Sequence, residues 1–151
     1  MLDLKKNDLI LIELKLSVLQ TFIANNQWNS LISAYKRINN ILNDQCVDNN
    51  IQQQLFAMQE EIKLNDAITI SAQKTHQLIA VYNNASRLTY SESIVAFESS
   101  IAALLSIVSC LSVFFDNVLI NDPNPEIRNN RLSLLQNIKQ LFLKIINFDC
   151  L

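Results

Sequence analysis

The sequence predicts an all-α, single-domain bundle of about five helices, and three observations predict it. No glycine occurs in 151 residues. Apolar residues recur mainly at spacings of three and four. The breaks between apolar stretches are built from Asn, Asp and Ser. Sheets and tight hairpins need residues at positive φ, which glycine supplies at least cost. Helical connections can use Asn, Asp and Ser instead. Half of the residues are hydrophobic and 17% are charged, the composition of a globular chain rather than a disordered one. Residues 1–151 suffice for one domain with a sizeable core.

The first helix is predicted from near Leu4 to Ala24, with Leu9, Ile12, Leu16, Leu19 and Ile23 on its apolar face. Ile12 to Val18 also alternates with period two, as a strand would, but no second strand exists to pair with it. Asn25-Asn26-Gln27 breaks the chain, and a second helix follows from Asn29 or Ser30 to about Asn43. After the polar break Asp48-Asn49-Asn50, a long third helix is predicted over Ile51 to Asn83, with a weak point at Leu64 to Ala67. Asn83-Asn84-Ala85-Ser86 reads as a loop, and Ser91 with Glu92 starts a long fourth helix. Its run Ile101 to Phe115 is the most apolar of the chain. That run is shorter than the ~20 residues of a membrane span, contains Ser106, Ser109 and Ser112, and is fenced by Glu98 and Asp116. It is expected to be a buried central helix, with no membrane partner. The fifth helix has the clearest start: Asn124 as cap, Pro125 where its missing N–H costs nothing, and Glu126 at the positive end of the dipole. Its apolar face is Ile127, Leu134, Leu135, Ile138, Leu141, Phe142 and Ile145, with Arg128, Asn129 and Asn137 elsewhere around it.

Catalytic chemistry finds no foothold. Phosphate-cradling loops are built on glycine, so nucleotide-binding enzymes of the usual kinds are excluded. No Ser/His/Asp or Cys/His set emerges, and the single His76 leaves little for acid–base work. Glu60 and Glu61 are adjacent on a helix, point to different sides, and read as a solvated pair. Cys46, Cys110 and Cys150 are odd in number, widely spaced and without a Cys-x-x-Cys pair. With no basic-then-apolar leader before them, they read as free thiols in a reducing cytoplasm. No metal is expected, because His76 has no partner at ligand spacing.

The net charge of −2 and pI of about 5.3 do not suit a nucleic-acid module, which is commonly basic. The two ends differ from the whole. From Pro123 to Leu151, Arg128, Arg131, Lys139 and Lys144 stand against Glu126 and Asp149; from Met1 to Asn43, five cations stand against three carboxylates. The middle is acidic and apolar, so any RNA face is expected to combine the two ends.

Several segments carry a resemblance. Phe114-Phe115-Asp116-Asn117-Val118-Leu119-Ile120-Asn121 leads through a Pro-marked turn to Arg128-Asn129-Asn130-Arg131-Leu132-Ser133-Leu134-Leu135. Upstream lie Ala34-Tyr35-Lys36-Arg37-Ile38-Asn39-Asn40-Ile41-Leu42, with Tyr35 where the family usually has Asn, and Leu55-Phe56 followed by Glu61 and Leu64. The far end contributes Leu141-Phe142-Leu143, Phe148 and Leu151. Together they resemble the C-terminal end of the β subunit of bacterial glycyl-tRNA synthetase, the type built from separate α and β chains. The resemblance covers most of the chain and is weakest over residues 66–96.

It implies an all-helical anticodon-binding domain, related to the one of arginyl-tRNA synthetase. Such a domain would bind tRNA(Gly) and be catalytically silent, with no cofactor of its own. The α subunit would activate glycine with ATP, and the remainder of the β subunit would be a further partner. Anticodon loops are read by stacking splayed bases on aromatic or guanidinium planes and bonding their edges. Lys36, Arg37, Asn40, Arg128 and Arg131 are the candidates for that role. Asp116, Asn117 and Pro125 are candidate turn residues: a hairpin of the last two helices can bring Asp116 against Arg131, fixing the turn instead of touching RNA. Lys36 and Arg37 read equally as ordinary helix-surface residues, and Phe114 and Phe115 as core. Two other readings stand beside this one: a helical interaction or oligomerisation module, and a remnant of a longer β subunit.

Overall fold

Two asparagines take the left-handed backbone conformations that other chains give to glycine. Asn26 (φ 58°) turns the chain between the first two helices, and Asn43 (φ 36°) ends the second, its N–H donating to Asn39 O at 2.9 Å. Asn tolerates this region better than other residues with a Cβ. The computed structural model describes residues 6–43, 47–83 and 90–146. Among them are five α-helices, α1 (Lys6–Ala24), α2 (Gln27–Leu42), α3 (Gln59–Asn83), α4 (Tyr90–Asn117) and α5 (Pro125–Ile145), and a 3-10 turn at Gln53–Leu55. No strand occurs among the described residues, and the all-α expectation holds. The expected loop at 83–86 falls mostly on residues outside this description, as do Cys46, Phe148, Cys150 and Leu151.

The boundaries differ from expectation where a distant or backbone effect sets them. Helix α2 begins at Gln27, ahead of Asn29, because the left-handed turn at Asn26 lets the helix restart directly. Helix α3 begins at Gln59 rather than Ile51. Its start is fixed by Glu61, whose Oε2 accepts from Ala57 N at 2.7 Å and Met58 N at 2.8 Å. A carboxylate three residues into a helix satisfies N–H groups at its entry in this way. The helix then runs unbroken through Leu64, Asn65, Ala67 and Ile68, all buried.

α3 and α4 form an antiparallel pair, the most extensive helix contact of the fold, with Ser100 Oγ on α4 donating to Lys74 O on α3 at 3.4 Å. Phe97, Ile101, Leu104, Ile107, Leu111 and Phe114 bury one side of α4 at helical spacing. The apolar run expected to be too short for a membrane belongs to a 28-residue helix. By length and composition alone, Ser91–Asn117 could cross one. In the fold its buried stripe instead meets α2, α3 and α5 in one core, with Leu31, Ile38, Leu64, Leu134, Leu135, Ile138 and Phe142 all sealed from solvent.

α1 corrects the expected apolar face. Ile12, Leu16 and Ile23 remain 45–54% exposed, while Val18 is buried and Phe22 partly so; of the predicted stripe, Leu19 does pack against the core. Among the described side chains, the covered side lies about a quarter of a turn from the centre of the predicted stripe and shares Leu19 with it. The three-and-four spacing identified the helix correctly. Which side is covered depends on where α2 and α4, its main neighbours, happen to lie.

α5 starts as its sequence requires: Asn124 Oδ1 accepts from Glu126 N at 2.9 Å, and Pro125 occupies the first turn. Two asparagines seven residues apart then tie residues 47–52 to it. Asn130 Oδ1 accepts from Gln52 N (2.8 Å) while its Nδ2 donates to Gln52 O (3.0 Å), and Asn137 Nδ2 donates to Asn49 O (2.8 Å).

Candidate nucleic-acid interface

Arg131, a candidate RNA contact by charge, is only 3% exposed. Its Nε donates to Glu61 Oε1 at 2.8 Å; its Nη1 donates to Asp122 Oδ2 at 2.9 Å and Leu119 O at 2.6 Å. Glu61 is fully buried, so it is not half of a solvated pair with Glu60. One of its oxygens faces Arg131 and the other caps α3. The arginine thus fastens the α4–α5 turn to the start of α3. Asp116 does not reach it: Asp116 is exposed, and Asp122, nearer in the chain, supplies the turn's carboxylate. Asp122 also accepts from Asn124 N through Oδ1 at 2.9 Å. Asn117 closes α4 by donating from Nδ2 to Val113 O at 2.8 Å.

A sequence signal for this pin exists. Arg131 sits at helical spacing among Ile127, Leu134, Leu135 and Ile138, in the middle of the apolar stripe of α5. A cation at a core position requires a buried partner.

The other candidates are open. Lys36, Arg37 and Asn40 are exposed on α2, and Arg128 is half-buried on α5. The two helices run antiparallel against each other: the Tyr35 ring meets that of Phe142 at 6.1 Å between centroids, and Lys139 Nζ donates to Asn39 Oδ1 at 2.6 Å. Basic segments from both halves of the chain therefore adjoin. Lys139 contributes to the positive charge of α5 and is not among the candidates that sequence singles out. It lies eleven residues from Arg128, three turns along the same side of the helix. Arg128 is displaced from the level of Lys36 by about 20 Å along the axis at 1.5 Å per residue. Arg37 faces the other flank of α2, its Cζ lying 3.9 Å over the ring centroid of Phe115 on α4. Phe114 is fully buried, whereas Phe115 is only partly so.

A polar cleft of about 280 Å³ lies between residues 48–55 and the start of α5, lined by Asp48, Asn50, Gln52, Glu126, Asn129 and Asn130 among others. Its two carboxylates would repel phosphate, and Arg128 points to the opposite side of α5 by helical geometry. Among the described residues, no three His, Cys, Asp or Glu side chains gather as a metal would need. His76 is exposed, and Cys110 is a half-buried free thiol on α4.

What these helices define is an all-helical module, its core pinned by a buried ion pair and its cations spread along α2 and α5. Comparison with known proteins gives it relatives. The chain is 36% identical over 148 residues to a glycine–tRNA ligase beta subunit of Rickettsia canadensis, a match that takes in 98% of this chain. The beta subunits of Rickettsia typhi and Rickettsia felis are 34% and 36% identical over 134 and 136 residues, each match covering 89% of the chain. The chain spans about a fifth of the length of these curated relatives: 20% of the first and 18% of the other two. No family model matches it.

Proposed function

We propose that this chain is the tRNA-docking segment of a glycine–tRNA ligase beta subunit, equivalent to its C-terminal anticodon-binding domain. In this reading the domain holds tRNA(Gly) in the cytoplasm and makes no bonds itself. A partner α subunit uses ATP to activate glycine, and the remainder of a β subunit completes the assembly. The observation that carries the reading is similarity along 98% of the chain to proteins named as that subunit. The open cations Lys36, Arg37 and Arg128, with Asn40 beside them, supply the means. Cations give affinity through phosphates, and amides read base edges.

The test is binding of a tRNA(Gly) transcript to the 151-residue chain across a salt series. Lys36→Glu and Arg128→Glu are each expected to weaken binding and to flatten the slope of log K against log salt by roughly 0.7 per lost phosphate contact. Wild-type affinity in both variants would remove these residues from the interface.

A second reading, a helical interaction module, is favoured by the exposure of Ile12, Leu16 and Ile23 along α1. It predicts self-association in sedimentation equilibrium, weakened roughly tenfold by Leu16→Glu, about 1.4 kcal/mol. A strictly monomeric wild type would count against it.

A further inference from the structure

Resting on the RNA reading above, we propose that Arg37 and Phe115 form a stacking platform for one unpaired nucleobase, at the edge of the groove between α2 and α4. The guanidinium carbon of Arg37 lies 3.9 Å over the Phe115 ring, the separation of stacked flat groups. One face of the guanidinium is taken by the ring. Arg37 is itself exposed, which leaves it accessible to a ligand from the solvent side. Among the described residues no carboxylate forms an ion pair with it, and an arginine already held against a ring surrenders little freedom when a base settles on it.

The adjoining groove fits the same ligand. Its volume is about 190 Å³, below the ~300–1,000 Å³ of pockets for drug-sized molecules and suited to a single planar ring. Ala34, Val108 and Leu111 give it apolar surface, Ser30, Ser33 and Ser112 bring hydroxyls, and no acidic side chain lines it. Hydroxyls can donate to or accept from a base edge. Lys36 and Asn40 stand on the outer side of the same helix, placed for the neighbouring phosphate and base. An aromatic or arginine plane beside backbone-tracking cations is the usual construction of a single-strand site.

The experiment uses the 151-residue chain and a tRNA(Gly) anticodon stem–loop, with affinity measured over a salt series for Arg37→Lys and Phe115→Leu. Arg37→Lys keeps the charge and loses the plane; Phe115→Leu keeps the apolar filling and loses the ring. Both are expected to weaken binding by about tenfold with the salt slope unchanged, since stacking releases no counterions. Arg37→Lys at wild-type affinity would overturn the platform while leaving the RNA reading intact, as would a loss that appears only as a flatter slope. Failure of the wild type to bind the stem–loop would overturn both. Should Phe115→Leu lower the melting temperature, Arg37→Lys alone decides.

Discussion

Replacing Arg131 with alanine is expected to lower the unfolding free energy by about 3–5 kcal/mol, the range for removing one partner of a buried ion pair. Glu61 has no exposed surface, so its Oε1 would be left without a donor in a place water does not reach. Asp122 and Leu119 O would lose the same guanidinium, and the α4–α5 turn would lose its tie to α3. Urea denaturation of wild type and variant measures the difference. A loss below 1 kcal/mol would show that water reaches the pair in solution. Arg131→Lys, which keeps the charge without the planar fork, is expected to lose less. RNA affinity at a temperature where the variant stays folded should not change, which separates this internal role from the contact first expected of Arg131.

Leu135→Ala is expected to cost roughly 2–5 kcal/mol, the range for deleting a buried leucine side chain. Leu135 is sealed in the core between Leu134 and Ile138 on its own helix and the apolar sides of its neighbours. The upper half of the range is favoured because the surroundings cannot collapse freely. α5 is held on one side by Arg131, on another by Asn130 and Asn137, and towards α2 by Lys139. A loss under half a kilocalorie in a denaturant titration would mean that the side chain is not in the core.

Much of the fold was legible in the sequence because helix signals are local. Asn124-Pro125-Glu126 announces α5, and the three-and-four spacing of Leu9, Ile12, Leu16, Leu19 and Ile23 announces α1. What distant contacts decide was not legible. The start of α3 depends on Glu61, whose burial depends in turn on an arginine 70 residues away. The covered side of α1 depends on where α2 and α4 pass. In the candidate site, Lys36 and Arg37 lie at the surface as a count of charges suggests, Asn40 is exposed beside them, and Arg128 is half-buried. Arg131 does not lie at the surface, because charge alone ignores its place in the apolar stripe. The role of Lys139 shows only once α2 and α5 are seen side by side.

The left-handed asparagines also shape the denatured ensemble. With no glycine anywhere, no residue of the unfolded chain roams both halves of φ at little cost. Glycine at position 26 or 43 would relax the native backbone yet give the unfolded chain more room to wander. These opposing effects are each on the order of 1 kcal/mol or less. Turns made from asparagine therefore confer part of their benefit before the chain has folded, and heat tolerance in this protein is better sought by stiffening its connections than by easing them.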